Sequence, residues 1–399
     1  MTTLDRVEHC ARYCEGVVLD DVEPVWDDRC VAPEIPSANV GDHIRQALPP
    51  HHPLNDGRTS RSALILAAEG RTVPHTPVWF MRQAGRSLPE YRALREGHTM
   101  LETCFNTDLA VEITLQPVRR HGVDAAIFFS DIVVPIKAIG IDVEIEPGVG
   151  PVIAEPFRTA ADVERLRDLE PDDVASIIAA VSALASELGN TPLIGFAGAP
   201  FTVASYLVEG RPSRDHIHTK ALMLSDPRTW NLLLDRIASI CGDFLKLQIE
   251  AGASAVQLFD SWAGALSARD YERSVLPHST KVFDAITHYE TPRIHFGVGT
   301  AELLPLMQSA GANVMGVDFR LPLNEAIRRL GHPCTLQGNL DPAVLFAEWS
   351  AVASGVMRVL GDAKELPGHI FNLGHGVPPD TDPDVLTRVV ELVHSETLR

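Results

Sequence analysis

Short apolar runs with β character recur along this chain at a spacing that leaves few folds open. They lie at 78–81 (VWFM), 124–129 (DAAIFF), 192–197 (PLIGFA), 255–259 (AVQLF), 293–298 (RIHFGV), 314–319 (VMGVDF), 335–338 (TLQG) and 369–372 (HIFN). Between them stand helical patterns such as LAVEITLQPVRRHG, PDDVASIIAAVSALASELG, LLLDRIASICGDFLKLQIEAG and LNEAIRRLG, which end at glycine as helices often do. The runs are too apolar to present a wet face, so they suit a parallel sheet covered by helices. Eight such alternations predict an α/β fold, a single-domain (β/α)8 TIM barrel over residues 59–399. A doubly wound open sheet is the competing arrangement. It is usually announced by a glycine-rich phosphate loop after the first strand, and MRQAGR is not one.

Two segments stand outside the alternation. The stretch IVVPIKAIGIDVEIEPGVGP holds two extended runs separated by Gly140 and closed by Gly148 and Gly150, which predicts a β-hairpin insertion after strand two. Residues 1–58 are acidic, rich in Pro, Asp and His, and without sustained period, which predicts a disordered extension. Ordered structure is expected to begin near Ser60, where SRSALILAAEG reads as a short helix stopped by Gly70. His9, Cys10, Cys14 and Cys30 match no zinc-site spacing, and His51 and His52 carry no signal of their own.

Charge and composition serve to exclude. A net charge of −19 argues against a nucleic-acid or anionic-membrane partner, since either needs a basic face. No run of about 20 apolar residues could span a bilayer. The first residues, MTTLDRVEHCARYC, lack the apolar core of a secretory signal, so a cytoplasmic location is expected. The six cysteines are scattered without paired spacing, so no disulfide framework is expected.

In a barrel of this kind the chemistry collects at the C-terminal ends of the strands. After the first run come Arg82 and Arg86, flanking Gln83, Ala84 and Gly85; small residues there let a backbone pass close to a ligand while two guanidinium forks suit carboxylates or phosphates. After the second run come Ser130 and Asp131. The third is followed by Gly198, Ala199 and Pro200, then Tyr206 in FTVASYLVEG; the fourth by Asp260 and Ser261; the seventh by Asn339 and Asp341; the eighth by Gly374, His375 and Gly376. Each has a plainer reading: the arginines as surface ion pairs, Asp131 and Ser261 as helix caps, Tyr206 as a core residue, His375 as a turn residue. Their joint placement at one mouth is what points to a site.

The motifs FMRQAGRSLPEYR, FFSDIVVP, PLIGFAGAPFT, YLVEG, LFDSWAG, TLQGNLDP and NLGHGVPPD resemble, in order, those of the uroporphyrinogen decarboxylase family, from about residue 60 to the C-terminus. The resemblance implies a (β/α)8 barrel, a homodimer, and a carboxy-lyase that converts the four acetate side chains of uroporphyrinogen III to methyl groups, giving coproporphyrinogen III in haem biosynthesis without cofactor or metal. It also implies site roles. Arg82 and Arg86 match carboxylate-binding arginines in a stretch running through Gln83, Ala84 and Gly85, Asp131 matches the aspartate that binds the pyrrole NH groups, and Tyr206, Ser261 and His375 match the remaining polar substrate contacts. Asp131 and Arg82 are the catalytic candidates. For the proton donor, Arg82, His375 and a water held by Tyr206 remain open.

Three rival readings follow from the residues. Zinc-dependent thiol methyltransferases of the same superfamily carry His-x-Cys and a later Cys; His332 and Cys334 have the first spacing, but no cysteine follows Cys334. A tetrapyrrole-binding protein without activity would have little use for Asp131 among polyanionic side chains. A phosphate-binding barrel enzyme would rest on GVGTAE at 297–302, an incomplete fingerprint.

Overall fold

The computed structural model describes residues 44–399, so the cysteines and His9 of the first 30 residues lie outside the described residues. Strands β1 (Ala126–Ile127), β4 (Leu193–Gly198), β5 (Ala255–Asp260), β6 (Arg293–Gly297), β7 (Val314–Gly316), β8 (Thr335–Gln337) and β9 (His369–Ile370) form one parallel sheet in that spatial order. The remaining strands, β2 (Val143–Glu146) and β3 (Gly150–Ile153), pair antiparallel with each other. Parallel neighbours follow chain order throughout, so the reversal that marks a doubly wound sheet does not occur among them.

The first apolar run, expected as a strand at 78–81, contributes a single parallel bridge from Val78 to Phe371. Its backbone bonds on both sides: Phe371 N–H donates to Pro77 O at 2.8 Å, and Asp124 N–H donates to Val78 O at 2.8 Å.

The sheet curls. Gln337 Nε2 on β8 donates to Gln257 Oε1 on β5 at 2.8 Å, although β6 and β7 lie between those strands. In a flat sheet they would stand roughly 14 Å apart. Trp79 Nε1 donates to Gln337 Oε1 at 3.0 Å and extends this polar thread through an otherwise apolar interior. Trp79, Phe80, Leu258 and Phe371 are all fully buried.

The expected helices are present where glycine ends them. Thr107–His121 stops at Gly122 and Leu323–Leu330 at Gly331, both in the left-handed conformation that spares glycine the Cβ clash. Ala63–Ala68 is capped by Ser62 and followed by Gly70 at φ 65°.

Two expectations are corrected. Residues 44–58 are packed rather than disordered: Leu48, Leu54 and His52 are buried, Arg45 pairs with Glu69 at 2.6 Å, and His52 Nε2 lies 3.0 Å from Ile249 O. Scattered anchors of this kind have no periodicity for a sequence reading to detect. The first extended run after strand two is a helix, Val134–Ala138, with Pro135 in its first turn, where proline's missing N–H costs nothing. The hairpin is made by the second run, as β2, and by the residues from its last closing glycine onward, Gly150–Ile153, as β3.

Candidate active site

The loop after Val78 is locked before it presents anything to solvent. Gln83 is fully buried; its Oε1 accepts Phe80 N–H at 2.9 Å and its Nε2 donates to Ala125 O at 3.0 Å, tying the loop to the start of β1. On the other side Asn372 Oδ1 accepts Met81 N–H at 3.1 Å, and Val377 N–H donates to Met81 O at 2.8 Å. Held from both flanks, Arg82 adopts φ 61°, a left-handed conformation that costs a non-glycine residue roughly 1–3 kcal/mol. Gly85 is required where it stands, since a Cβ would approach Arg82 O to 2.9 Å. Arg82 and Arg86 are exposed. Gln83, expected among the ligand contacts, turns its amide inward, so its side chain braces the loop and is not available to a ligand.

Asp131 follows β1 and is half-buried. Its Oδ1 accepts Val133 N–H at 3.1 Å, so the plain capping role and a ligand-facing role coexist. Burial raises its pKa above the ordinary carboxylate value, against the opposing pull of the Val133 and Ile132 N–H groups and the charge of Arg82.

Tyr206 lies on the helix Pro200–Glu209 and stacks on Trp262, ring centroids 4.0 Å apart. Burial, with the negative charge of Asp131, lifts its phenol well above the ordinary tyrosine pKa, while Arg82 pulls it down. The hydroxyl therefore stays protonated at neutral pH, and both Asp131 and Arg82 are close enough to be felt. Thr202, on the same helix, donates to the fully buried Asp260 at 2.9 Å and accepts Trp262 N–H at 3.2 Å. That relay sets the turn carrying the half-buried Ser261.

His375 stands at the rim between two glycines that the packing demands: a Cβ at Gly374 would strike the backbone of Phe319, and one at Gly376 would meet the Arg82 side chain. Desolvation, then the charges of Arg82 and Arg320, lower the His375 pKa, opposed by the Gly376 backbone and Asp318. The ring is neutral at pH 7.

The structure thus brings Arg82, Asp131, Tyr206 and His375 within electrostatic reach of one another, in pairs, at the C-terminal end of the sheet. Asn339 and Asp341 do not join them. Asn339 donates to Asp318 O and Leu321 O at 2.8 and 2.6 Å as a brace, and Asp341 caps the turn at Pro342–Phe346. Asp318 and Arg320, paired at 2.6 Å, were missed by the sequence reading because the apolar run reads through 319, whereas the strand ends at Gly316 and places Asp318 and Arg320 after it, where the other candidates were found. Trp262 gave no signal beyond an ordinary core aromatic.

The rival motifs fare poorly. Burial pushes the Cys334 thiol up to about 11, and His332 Nδ1 sits 3.2 Å from the carbonyl of Pro333. In GVGTAE, the Gly299 N–H that a phosphate would need is taken by Asp318 Oδ2 at 2.5 Å.

At the strand ends of a curled parallel α/β sheet stand exposed arginines, a carboxyl whose pKa burial raises and a phenol that stays protonated. A family model described as Uroporphyrinogen decarboxylase (URO-D) matches residues 59–396. Uroporphyrinogen decarboxylase of Streptomyces coelicolor is 67% identical over 341 residues, covering 86% of this chain and 96% of that protein. The protein of the same name from Thermobifida fusca is 60% identical over 355 residues, covering 89% and 98%. The chain belongs to the uroporphyrinogen decarboxylase family. Among solved structures, a methyltransferase from Methanosarcina mazei superposes with a TM-score of 0.69 at 16% identity, covering 85% of this chain and 99% of that one, a likeness of fold alone.

Proposed function

We propose that this site carries out decarboxylation of the four acetate side chains of uroporphyrinogen III to methyl groups, giving coproporphyrinogen III in haem biosynthesis, without cofactor or metal. The observation that carries the reading is the placement of one half-buried carboxyl, Asp131, within electrostatic reach of Arg82 and Tyr206. On this reading the segment at Val78 completes a closed (β/α)8 barrel, supported by its bonds to Phe371 on one side and Asp124 on the other. The barrel domain runs over 59–399, and the enzyme works as a cytoplasmic homodimer.

The substrate carries four acetates and four propionates, and Arg82 and Arg86 offer planar forks to those carboxylates. Decarboxylation leaves an electron pair that needs a sink. Protonation of the pyrrole ring supplies it; CO2 then leaves, the freed methylene carbon takes up a proton, and the ring returns its own, so one proton is consumed for each CO2 released. Positive charge develops at the pyrrole NH groups. An ionised Asp131 bonded to them gains interaction as that charge grows, and this differential stabilisation lowers the barrier. Burial raises the Asp131 pKa, and pyrrole NH groups bonded to the carboxylate would offset that desolvation. Tyr206 serves as a donor to a carboxylate or a water, Ser261 as a further contact, and His375 as a neutral polar contact at the rim. Its lowered pKa keeps most of His375 unprotonated at neutral pH, and the proton source is taken from among Arg82, His375 and a water held by Tyr206.

The test is to incubate purified full-length protein, with a chelator and no added cofactor, with enzymically generated uroporphyrinogen III, and to separate the oxidised products by chromatography. Stepwise loss of carboxyl groups down to coproporphyrin supports the reading. A folded protein that binds the tetrapyrrole and leaves it unchanged would remove it.

A further inference from the structure

The opposite end of the sheet holds a second cluster that the reaction does not use. His75 precedes the first apolar run, Asp124 precedes β1, and His394 lies in the last turns of the C-terminal helix Pro383–Thr397. His75 Nε2 is 2.7 Å from Asp124 Oδ1, and His394 Nε2 is 2.8 Å from Asp124 Oδ2. The two imidazole rings are 4.2 Å apart, centre to centre. Among the described residues this is the one group of three or more His, Cys, Asp or Glu side chains placed to share an ion, with ligand atoms all within 4.8 Å of one another.

We propose that His75, Asp124 and His394 bind one divalent d-block cation, of which Zn2+ is the type. Two imidazole nitrogens and one carboxylate are a ligand set suited to such ions, with an open position left for water. Each N···O contact now holds one N–H proton. A bound cation takes the Nε2 lone pairs, each ring then carrying its single proton on Nδ1, and the one carboxylate offsets half of the ion's charge while both rings stay neutral. Bonds of about 2.0–2.1 Å require the ligand atoms to stand roughly 3.3 Å apart, so the two contacts open by about half an ångström. Partial exposure makes that possible: the side chains are 22% (His75), 14% (Asp124) and 29% (His394) accessible, enough for an ion to enter and for water to complete its shell. Asp124 Oδ2 also accepts Val78 N–H at 2.7 Å, which orients the carboxylate as outer partners of metal ligands do.

The role is structural. Asp124 and Asp131 lie at opposite ends of the same strand segment, on the order of 20 Å apart along an extended chain. The ion would pin the C-terminal helix to the entry of the first two strands and leave the catalytic end untouched.

Full-length protein stripped with a chelator and then desalted should be titrated with Zn2+ against a chromophoric indicator, and with Co2+ by visible absorption. The expected result is one Zn2+ per chain with a Kd near micromolar or tighter, a Co2+ ligand-field band, and a rise in melting temperature with Zn2+. His394→Ala, on an accessible helix face, and His75→Gln should each weaken binding at least tenfold and abolish the melting shift, with decarboxylation unchanged. Zn2+ affinity equal in wild type and both variants would assign the binding to other histidines and overturn the proposal. Wild-type binding weaker than about 100 μM would also overturn it and leave a hydrogen-bonded brace only.

Discussion

The side chain of Arg82 lies directly over Gly376: a Cβ at position 376 would sit 2.6 Å from Arg82 Cδ and 2.9 Å from its Cγ. The loop after the first strand segment and the loop after β9 are thereby fitted to each other, and the glycine leaves the space in which the guanidinium is aimed.

Gly376→Ala should therefore displace Arg82 more than it disturbs the fold. The expected result is a fall in kcat/KM of about tenfold or more with a melting temperature close to wild type. Gly374→Ala is the control, because its Cβ meets the backbone of Phe319, which cannot swing aside. That variant should lose stability first. Equal activity in Gly376→Ala and wild type would show that the Arg82 position is not critical.

Asp131→Asn separates chemistry from stability. Turnover should fall by ~10²–10³ with product binding still detectable. The raised pKa means the folded protein holds the Asp131 proton more tightly than the unfolded chain, so stability is lost as pH rises from the unfolded value through the folded one. Above that window the folded state carries the penalty of the buried carboxylate, and asparagine removes it. A higher melting temperature at pH 7 is expected alongside the lost activity; unchanged turnover would sink the proposed mechanism.

Arg86→Lys replaces a planar fork by a point charge on an exposed side chain. The Michaelis constant should rise about tenfold, the equivalent of ~1.4 kcal/mol, with kcat less affected. An unaltered Michaelis constant would count against a carboxylate-binding role.

Acid should destabilise the protein through three histidines kept neutral by burial. His52, His121 and His369 are each lowered from the ordinary histidine value to about 4. Between pH 6.5 and 4 the unfolded chain binds more protons than the folded one, so stability is full above 6.5 and is lost as pH falls through that window. Each contributes on the order of 3 kcal/mol to the loss. Urea midpoints measured from pH 7.5 to 4.5 test this, and a flat profile would contradict it.

Removal of residues 1–58 tests the packed segment ahead of the first helix. It strips the buried Leu48 and Leu54, each worth about 1.5–3 kcal/mol, together with the Arg45–Glu69 pair. A chain starting at residue 44 should melt at a higher temperature than one starting at 59. Equal melting temperatures would show that 44–58 contribute nothing.

The parallel α/β architecture was legible because alternating apolar runs and glycine-ended helices are local properties, set by side-chain period and backbone freedom. The family was legible because its motifs are short contiguous stretches, most of them at strand ends. Tertiary structure decided the rest. That Gln83 turns inward while Arg82 turns outward depends on the bonds of Gln83 to Ala125 and of Met81 to Asn372, partners 42 and 291 residues apart in the chain. The packing of 44–58 depends on Glu69 and Ile249. The pKa of Asp131 depends on how much water its neighbours exclude, and the meeting of His75, Asp124 and His394 on where the last helix returns. Contacts between distant segments leave no periodic trace, so the sequence alone could name these residues but could not say which way they point.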